Sequence, residues 1–176
     1  YITRFQDTYF LVDCYHDEII YSDSLSRPLN EWDVMTDEIS RGHTIASDGE
    51  VYLADDTENH RILVFEKEDG KFLHTQTFSD IGVRPHYIVY DEKTRCFYVL
   101  SSMTGELYVF TREKDSTRMA LKDVRSIEKL NGIYVRSFTI MGDEIYFVSG
   151  NSTIIRARLK DLKILEEYPC LLYTSD

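Results

Sequence analysis

Proline and glycine are scarce in this chain of 176 residues, with three and eight copies, which excludes collagen-like and low-complexity classes. Cysteine is equally scarce. Of the three, Cys14 and Cys96 lie inside apolar segments, and there is no C-x-x-C or Cys/His cluster. Zinc-finger and redox motifs therefore lack support, and both residues are expected to be buried free thiols. No apolar run approaches the roughly 18 residues that span a bilayer, and Tyr1 to Phe5 read as strand rather than signal peptide. Positive charge is in deficit, 20 Lys plus Arg against 31 Asp plus Glu for a net charge of -11. A nucleic-acid backbone or an anionic membrane surface is repelled on average, and neither is an expected partner. Also missing are G-x-S-x-G, G-x-G-x-x-G, Walker A and H-E-x-x-H, and with them serine-hydrolase elbows, dinucleotide sites, P-loops and zincins. None of these features names a compartment.

What is abundant is apolar and aromatic sequence, 43% and 13% of the chain, arranged in a repeat. Tyr9 to Asp13, Val51 to Asp55, Phe97 to Ser101 and Ile145 to Ser149 share one frame that superposes Phe10, Tyr52, Tyr98 and Tyr146. Each is followed by a polar turn and a second apolar run: Ile19 to Tyr21, Ile62 to Phe65, Leu107 to Phe110, and Ile154 with Ile155. Turn and alternation together read as antiparallel hairpins. A more polar strand follows, clearest at Phe72 to Phe78, and a short strand precedes each hairpin, as at His43 to Ala46, His86 to Val89 and Ser137 to Ile140. Four strands per unit, repeating every forty-odd residues, predict an all-β chain of β-propeller blades. Only Asn30 to Ile39 and Ser126 to Leu130 are open to short helical connections.

The second unit, Val51-Tyr52-Leu53-Ala54-Asp55-Asp56-Thr57-Glu58-Asn59-His60-Arg61-Ile62-Leu63-Val64-Phe65, resembles the NHL repeat. The other units keep the pattern only in part. This resemblance implies the six-bladed NHL-like propeller superfamily and carries no activity with it. Four blades are expected, at about 1–40, 41–83, 84–133 and 134–169, as an incomplete fragment of a six-bladed ring. Cys170 to Asp176 resembles the translation of a transposon end used in preparing sequencing libraries and reads as a non-native tail, with a native edge strand as the alternative.

In a propeller the first strand of every blade lines the central channel. Counted back from Asp48 and Asp91, His43 and His86 fall at one position in consecutive blades, each two residues after an arginine, Arg41 and Arg84; in the fourth unit Ser137 takes that place beside Arg136. These five residues, Arg41, His43, Arg84, His86 and Arg136, are the candidate ligand-binding ring. Lyases resembling this superfamily hold a divalent metal on such imidazoles, so His43 and His86 are candidate metal ligands, with the arginines neutralising a carboxylate. No catalytic set is complete and no cofactor is called for outright. The leading expectation is a non-enzymatic scaffold binding a small-molecule, carbohydrate or protein ligand. Its rival is a metal-assisted lyase or hydrolase acting on an acidic or sugar-like substrate. Asp13, Asp55 and Asp56 are expected to cap their own turns, and His16 and His60 to be structural. Tyr15, Tyr21, Tyr87 and Tyr90 either pack between blades or form ligand platforms.

Overall fold

A computed structural model describes residues 1–169; the tail reading for Cys170 to Asp176 lies outside the described residues. The strands fall into four antiparallel sheets of four, each in chain order from its innermost strand outward. The first blade comprises β1 (Ile2–Phe5), β2 (Thr8–Asp13), β3 (Glu18–Ser22) and β4 (Asp33–Thr36), and the second β5 (Ile45–Ser47), β6 (Val51–Asp56), β7 (Arg61–Glu68) and β8 (Lys71–Phe78). The third holds β9 (Pro85–Asp91), β10 (Cys96–Ser101), β11 (Glu106–Arg112) and β12 (Met119–Ser126), and the fourth β13 (Val135–Met141), β14 (Glu144–Ser149), β15 (Thr153–Arg158) and β16 (Ile164–Pro169). The segment expected to be helical from Asn30 resolves into one 3-10 turn, Leu29–Glu31, and then β4, because Asp33 to Thr36 finds a ladder on β3. The second helical candidate shrinks to a 3-10 turn at Glu128–Leu130.

Three apolar clusters form the core, and they lie mainly between blades. Phe10, Met35 and Ile39 of the first unit meet Tyr52, Leu63 and Phe72 of the second, and at that joint Tyr21 packs edge-on to Phe72 at 4.7 Å. Val51 and Leu53 meet Phe97, Val99 and Phe110. Tyr98 and Leu100 meet Phe138, Ile145 and Phe147. Tyr87 joins that last contact, 5.6 Å from Phe138, and Tyr90 packs on Phe97 at 4.8 Å. Three of the four surplus tyrosines thus serve packing, while Tyr15 is 87% exposed. All six residues of β6 and of β10 are buried, whereas burial alternates along β2 and β14. The inner blades are covered on both faces and the outer two on one.

One turn position recurs. Asp17, His60, Gly105 and Ser152, each directly ahead of the third strand of its blade, all take a left-handed conformation, with φ of 57°, 53°, 70° and 61°. At Gly105 a Cβ would also lie 2.7 Å from the Ile127 carbonyl, so glycine is required there twice over. The carbonyl at this position ties to the link that leads to the next blade. Ile81 N–H donates to the His60 carbonyl at 2.8 Å, and Ile127 N–H to that of Gly105 at 3.0 Å.

Candidate functional site

The residues entering the channel are placed by irregularities in the inner strands. Along β9 and β10, Tyr87 pairs with Leu100 and Pro85 with Ser101, which leaves His86 as an extra residue. Along β13 and β14, Ser137 pairs with Val148 and Val135 with Ser149, which leaves Arg136 extra in the same way. Bulges of this kind re-aim a side chain. The fourth-blade counterpart of His86 is therefore Arg136, and not Ser137 as counting from the turn suggests. Ser47, Val89 and Thr139 are the partners of Tyr52, Tyr98 and Tyr146. From that level His86 and Arg136 sit three residues back and His43 sits four, so His43 lies one position further out, ahead of β5 rather than within it.

That offset brings the two imidazoles together. His43 and His86 stack with centroids 3.9 Å apart and planes 28° from parallel. Tyr134 meets His86 edge-on at 5.6 Å, and the Arg136 guanidinium lies over the Tyr134 ring at 5.4 Å. His86 Nδ1 donates to the Arg136 carbonyl at 3.1 Å, which fixes its tautomer. Burial first, then the neighbouring His43, Arg84 and Arg136, pushes the His86 pKa down to about 4. Burial and the charges of Arg84, the N-terminal ammonium and Arg41 also lower that of His43. Both rings are neutral at neutral pH, and the positive charge here belongs to the arginines.

Neither arginine ahead of the histidines is placed by chance. Arg41 and Arg84 both adopt left-handed backbone, with φ of 51° and 60°. Their N–H groups are taken by the preceding blade, Arg41 by Asp17 Oδ1 at 2.7 Å and Arg84 by His60 Nδ1 at 3.1 Å. The Arg84 guanidinium pairs with Glu58 at 3.0 Å, and its Nε is buried without a partner. Arg41 and Arg136 are exposed. Cys14 contributes a thiol 4.0 Å from His43 Nε2 and is only partly buried, unlike Cys96, so the expectation of two buried thiols holds for one.

Beneath the histidines lies a network that capping logic places wrongly. Asp13 behaves as expected, accepting from the N–H groups of Tyr15 and His16. Asp55 instead reaches back to the start of its own blade: its oxygens accept from His43 N–H at 2.6 Å, Thr44 N–H at 2.8 Å and the Thr44 hydroxyl. Thr44 Oγ1 in turn accepts from Ile88 N–H at 3.0 Å, and Thr57 Oγ1 donates to the Pro85 carbonyl at 2.7 Å. The strand bearing His86 is thus sewn to the residues holding His43. Asp56 accepts from Ser40 N–H, Asn59 and Arg61, which fixes the link between the first two blades. Gly42 completes the approach, since a Cβ there would stand 2.9 Å from the Asp55 carbonyl.

The metal reading meets a geometric objection. An imidazole ligates a metal along the lone pair in its own plane, and lone pairs on two rings stacked this nearly parallel run side by side instead of meeting at one ion. Among the described residues no three His, Cys, Asp or Glu side chains are grouped to hold an ion. As stacked, the two rings do not offer a converging pair of ligands.

Four-stranded antiparallel blades packed side by side around a shared inner mouth define this chain as a segment of β-propeller. Its strongest repeat is of the NHL type, for the NHL repeat model matches residues 43–65. No curated protein matches the chain in sequence. Among solved structures, the nidogen/laminin complex aligns over 93% of this chain and 59% of its own, at 16% identity and a TM-score of 0.65. A putative 6-phosphogluconolactonase from Bacteroides uniformis aligns over 93% and 54%, at 14% identity and 0.74. The Cps50 (Swd1) β-propeller domain from Myceliophteria thermophila aligns over 92% and 56%, at 11% identity and 0.69. At these identities the likeness concerns the fold, and the chain spans a little over half the length of each. No helix among the described residues is long and apolar enough to cross a membrane.

Proposed function

We propose that this propeller is a non-enzymatic binding module whose channel mouth takes a small carboxylate-bearing ligand of the sugar-acid class. One observation carries the reading: two stacked, neutral imidazoles lie among Arg41, Arg84 and Arg136 in a chain of net charge -11. Guanidinium groups supply the charge for a carboxylate. A stacked imidazole face and the Tyr134 ring offer a platform for a polar ring. The putative 6-phosphogluconolactonase among the similar structures is consistent with a small polar ligand, while the nidogen/laminin complex represents the protein-binding use of such a fold.

The test is calorimetric titration of the 176-residue chain with gluconate. Saturable binding that falls about tenfold or more in Arg136→Ala, the loss expected for one charge-assisted hydrogen bond, supports the reading. Heat that is unchanged in Arg136→Ala and in His86→Ala overturns it. The rival metal-assisted lyase or hydrolase is favoured by one detail, the His86 Nδ1 bond to a carbonyl, which resembles the way metal-ligating histidines are oriented. It requires Zn²⁺ or Ca²⁺ to bind in a manner lost in His86→Ala, together with turnover of an added gluconolactone.

A further inference from the structure

A second cleft lies at the opposite end of the blades. His86 opens β9, while Thr94 and Cys96 follow the far end of that strand, about 20 Å away at ~3.3 Å per residue. There the third and fourth blades part to leave a cavity of about 320 Å³. Its floor is Cys96 and Tyr98, exposed by 1% and 2%. Four cations line it, Lys122 and Arg125 from β12 and Arg158 and Lys160 from the end of β15 and its turn, against a single carboxylate, Asp143.

The charges are only partly answered. Arg125 pairs with Asp123 at 2.8 Å and donates to the Leu159 carbonyl at 2.7 Å, with its guanidinium 5.8 Å from the Tyr98 ring centre. Arg158 is held by Asp161, and Asp143 is already taken by Lys93 at 2.8 Å. Among the described residues Lys122 has only the Cys96 sulfur, at 3.7 Å, and neither it nor Lys160 meets a carboxylate. In a chain with 11 more acidic than basic residues, two unanswered ammonium groups flanked by two oriented guanidiniums form a local reversal of charge. Two cations in excess, arranged around a cavity with an aromatic floor, suit a dianionic tetrahedral group on a compact organic body better than a single carboxylate.

We propose that the cleft between the third and fourth blades binds a small phosphomonoester, with Lys122 and Lys160 neutralising the phosphate and Arg125 and Arg158 orienting it. This site is separate from the channel mouth and does not depend on the function assigned there. The experiment follows the amide spectrum of the 176-residue chain by NMR during titration with phenyl phosphate, inorganic phosphate and acetate. Saturable shifts confined to the neighbourhood of Thr94, Cys96, Leu159 and Lys160 are expected from both phosphates, with acetate weaker. Lys160→Gln, a substitution in an exposed turn that leaves the fold intact, should weaken phenyl phosphate by about tenfold, and Arg136→Ala in the channel should leave it unchanged. Shifts that never saturate, that spread over surface lysines generally, that persist unchanged in Lys160→Gln, or that acetate reproduces at equal affinity each overturn the proposal.

Discussion

Replacing Asp55 by asparagine tests the network that holds the channel mouth. Asp55 is fully buried, and burial pushes its carboxyl up to about 7 even though the Thr44 hydroxyl, the His43 and Thr44 amides and the Thr57 hydroxyl all favour the charged form. An unfolded carboxyl titrates near 4, so between about pH 4 and pH 7 the folded chain keeps a proton that the unfolded chain has released. Stability from this residue is therefore fully present below about pH 4 and is lost as pH rises towards 7. At about 1.4 kcal/mol per tenfold, the loss amounts to roughly 4 kcal/mol. Near pH 5 the protonated carboxyl can turn its O–H to Thr44 Oγ1 and still accept on that oxygen, whereas the amide nitrogen of Asp55→Asn has no lone pair to offer and orphans either His43 N–H or Thr44 N–H. One orphaned donor costs about 1–3 kcal/mol, and this cost does not vary with pH. Urea unfolding of both proteins, followed through the fluorescence of the buried Trp32, should show the variant less stable near pH 5. The gap should close or invert by pH 8. A gap of the same size at both pH values would refute the argument, because Asp55 would then be ionised in the folded protein throughout.

Arg61→Ala removes the cation that meets Asp56, a carboxylate with no exposure. A loss of about 2–3 kcal/mol in urea unfolding is expected, below the usual cost of breaking a buried pair because Ser40 N–H and Asn59 still donate to Asp56. An NMR pH titration of the imidazole protons should find His16 titrating above its ordinary value, since Asp13 holds its Nδ1 at 2.7 Å. His86 should stay neutral until about pH 4. A His86 midpoint near 6.5 would mean that the ring is solvated and unstacked.

The propeller architecture was legible because its signal is periodic. Phe10, Tyr52 and Tyr98 recur at one level of the repeat and are each buried at a joint between blades. Tyr146 holds the same level, yet on the uncovered side of β14 it bonds Glu144 instead of packing in the core, which a repeat pattern alone does not reveal. The channel residues were legible as residue types but not in register. Counting from the turns assumes regular strands, and one extra residue in β9 and another in β13 moved the fourth-blade partner of His86 from Ser137 to Arg136. Tyr134, and the place of Cys14 beside His43, are not legible in the sequence because each meets the histidine pair from another blade. The reach of Asp55 was hidden for a related reason: an Asp ending a strand looks the same whether it bonds forward into its turn or back to His43. The NHL match itself, which contains Asp55, was the available clue.

The contrast between β6 and β10, covered on both faces, and β2 and β14, covered on one, bears on how the molecule breathes. In a row of like units each joint contributes its own share of cohesion, and opening proceeds from wherever a unit has one neighbour instead of two. Parting the second and third blades uncovers strands β6 and β10, whose residues are buried throughout. His43 and His86 straddle the joint between the second and third blades, sewn across it by Thr44 and Thr57. Opening that joint must break these bonds along with the apolar contact between β6, β10 and their neighbours, so the imidazole stack sits where two blades are fastened twice over.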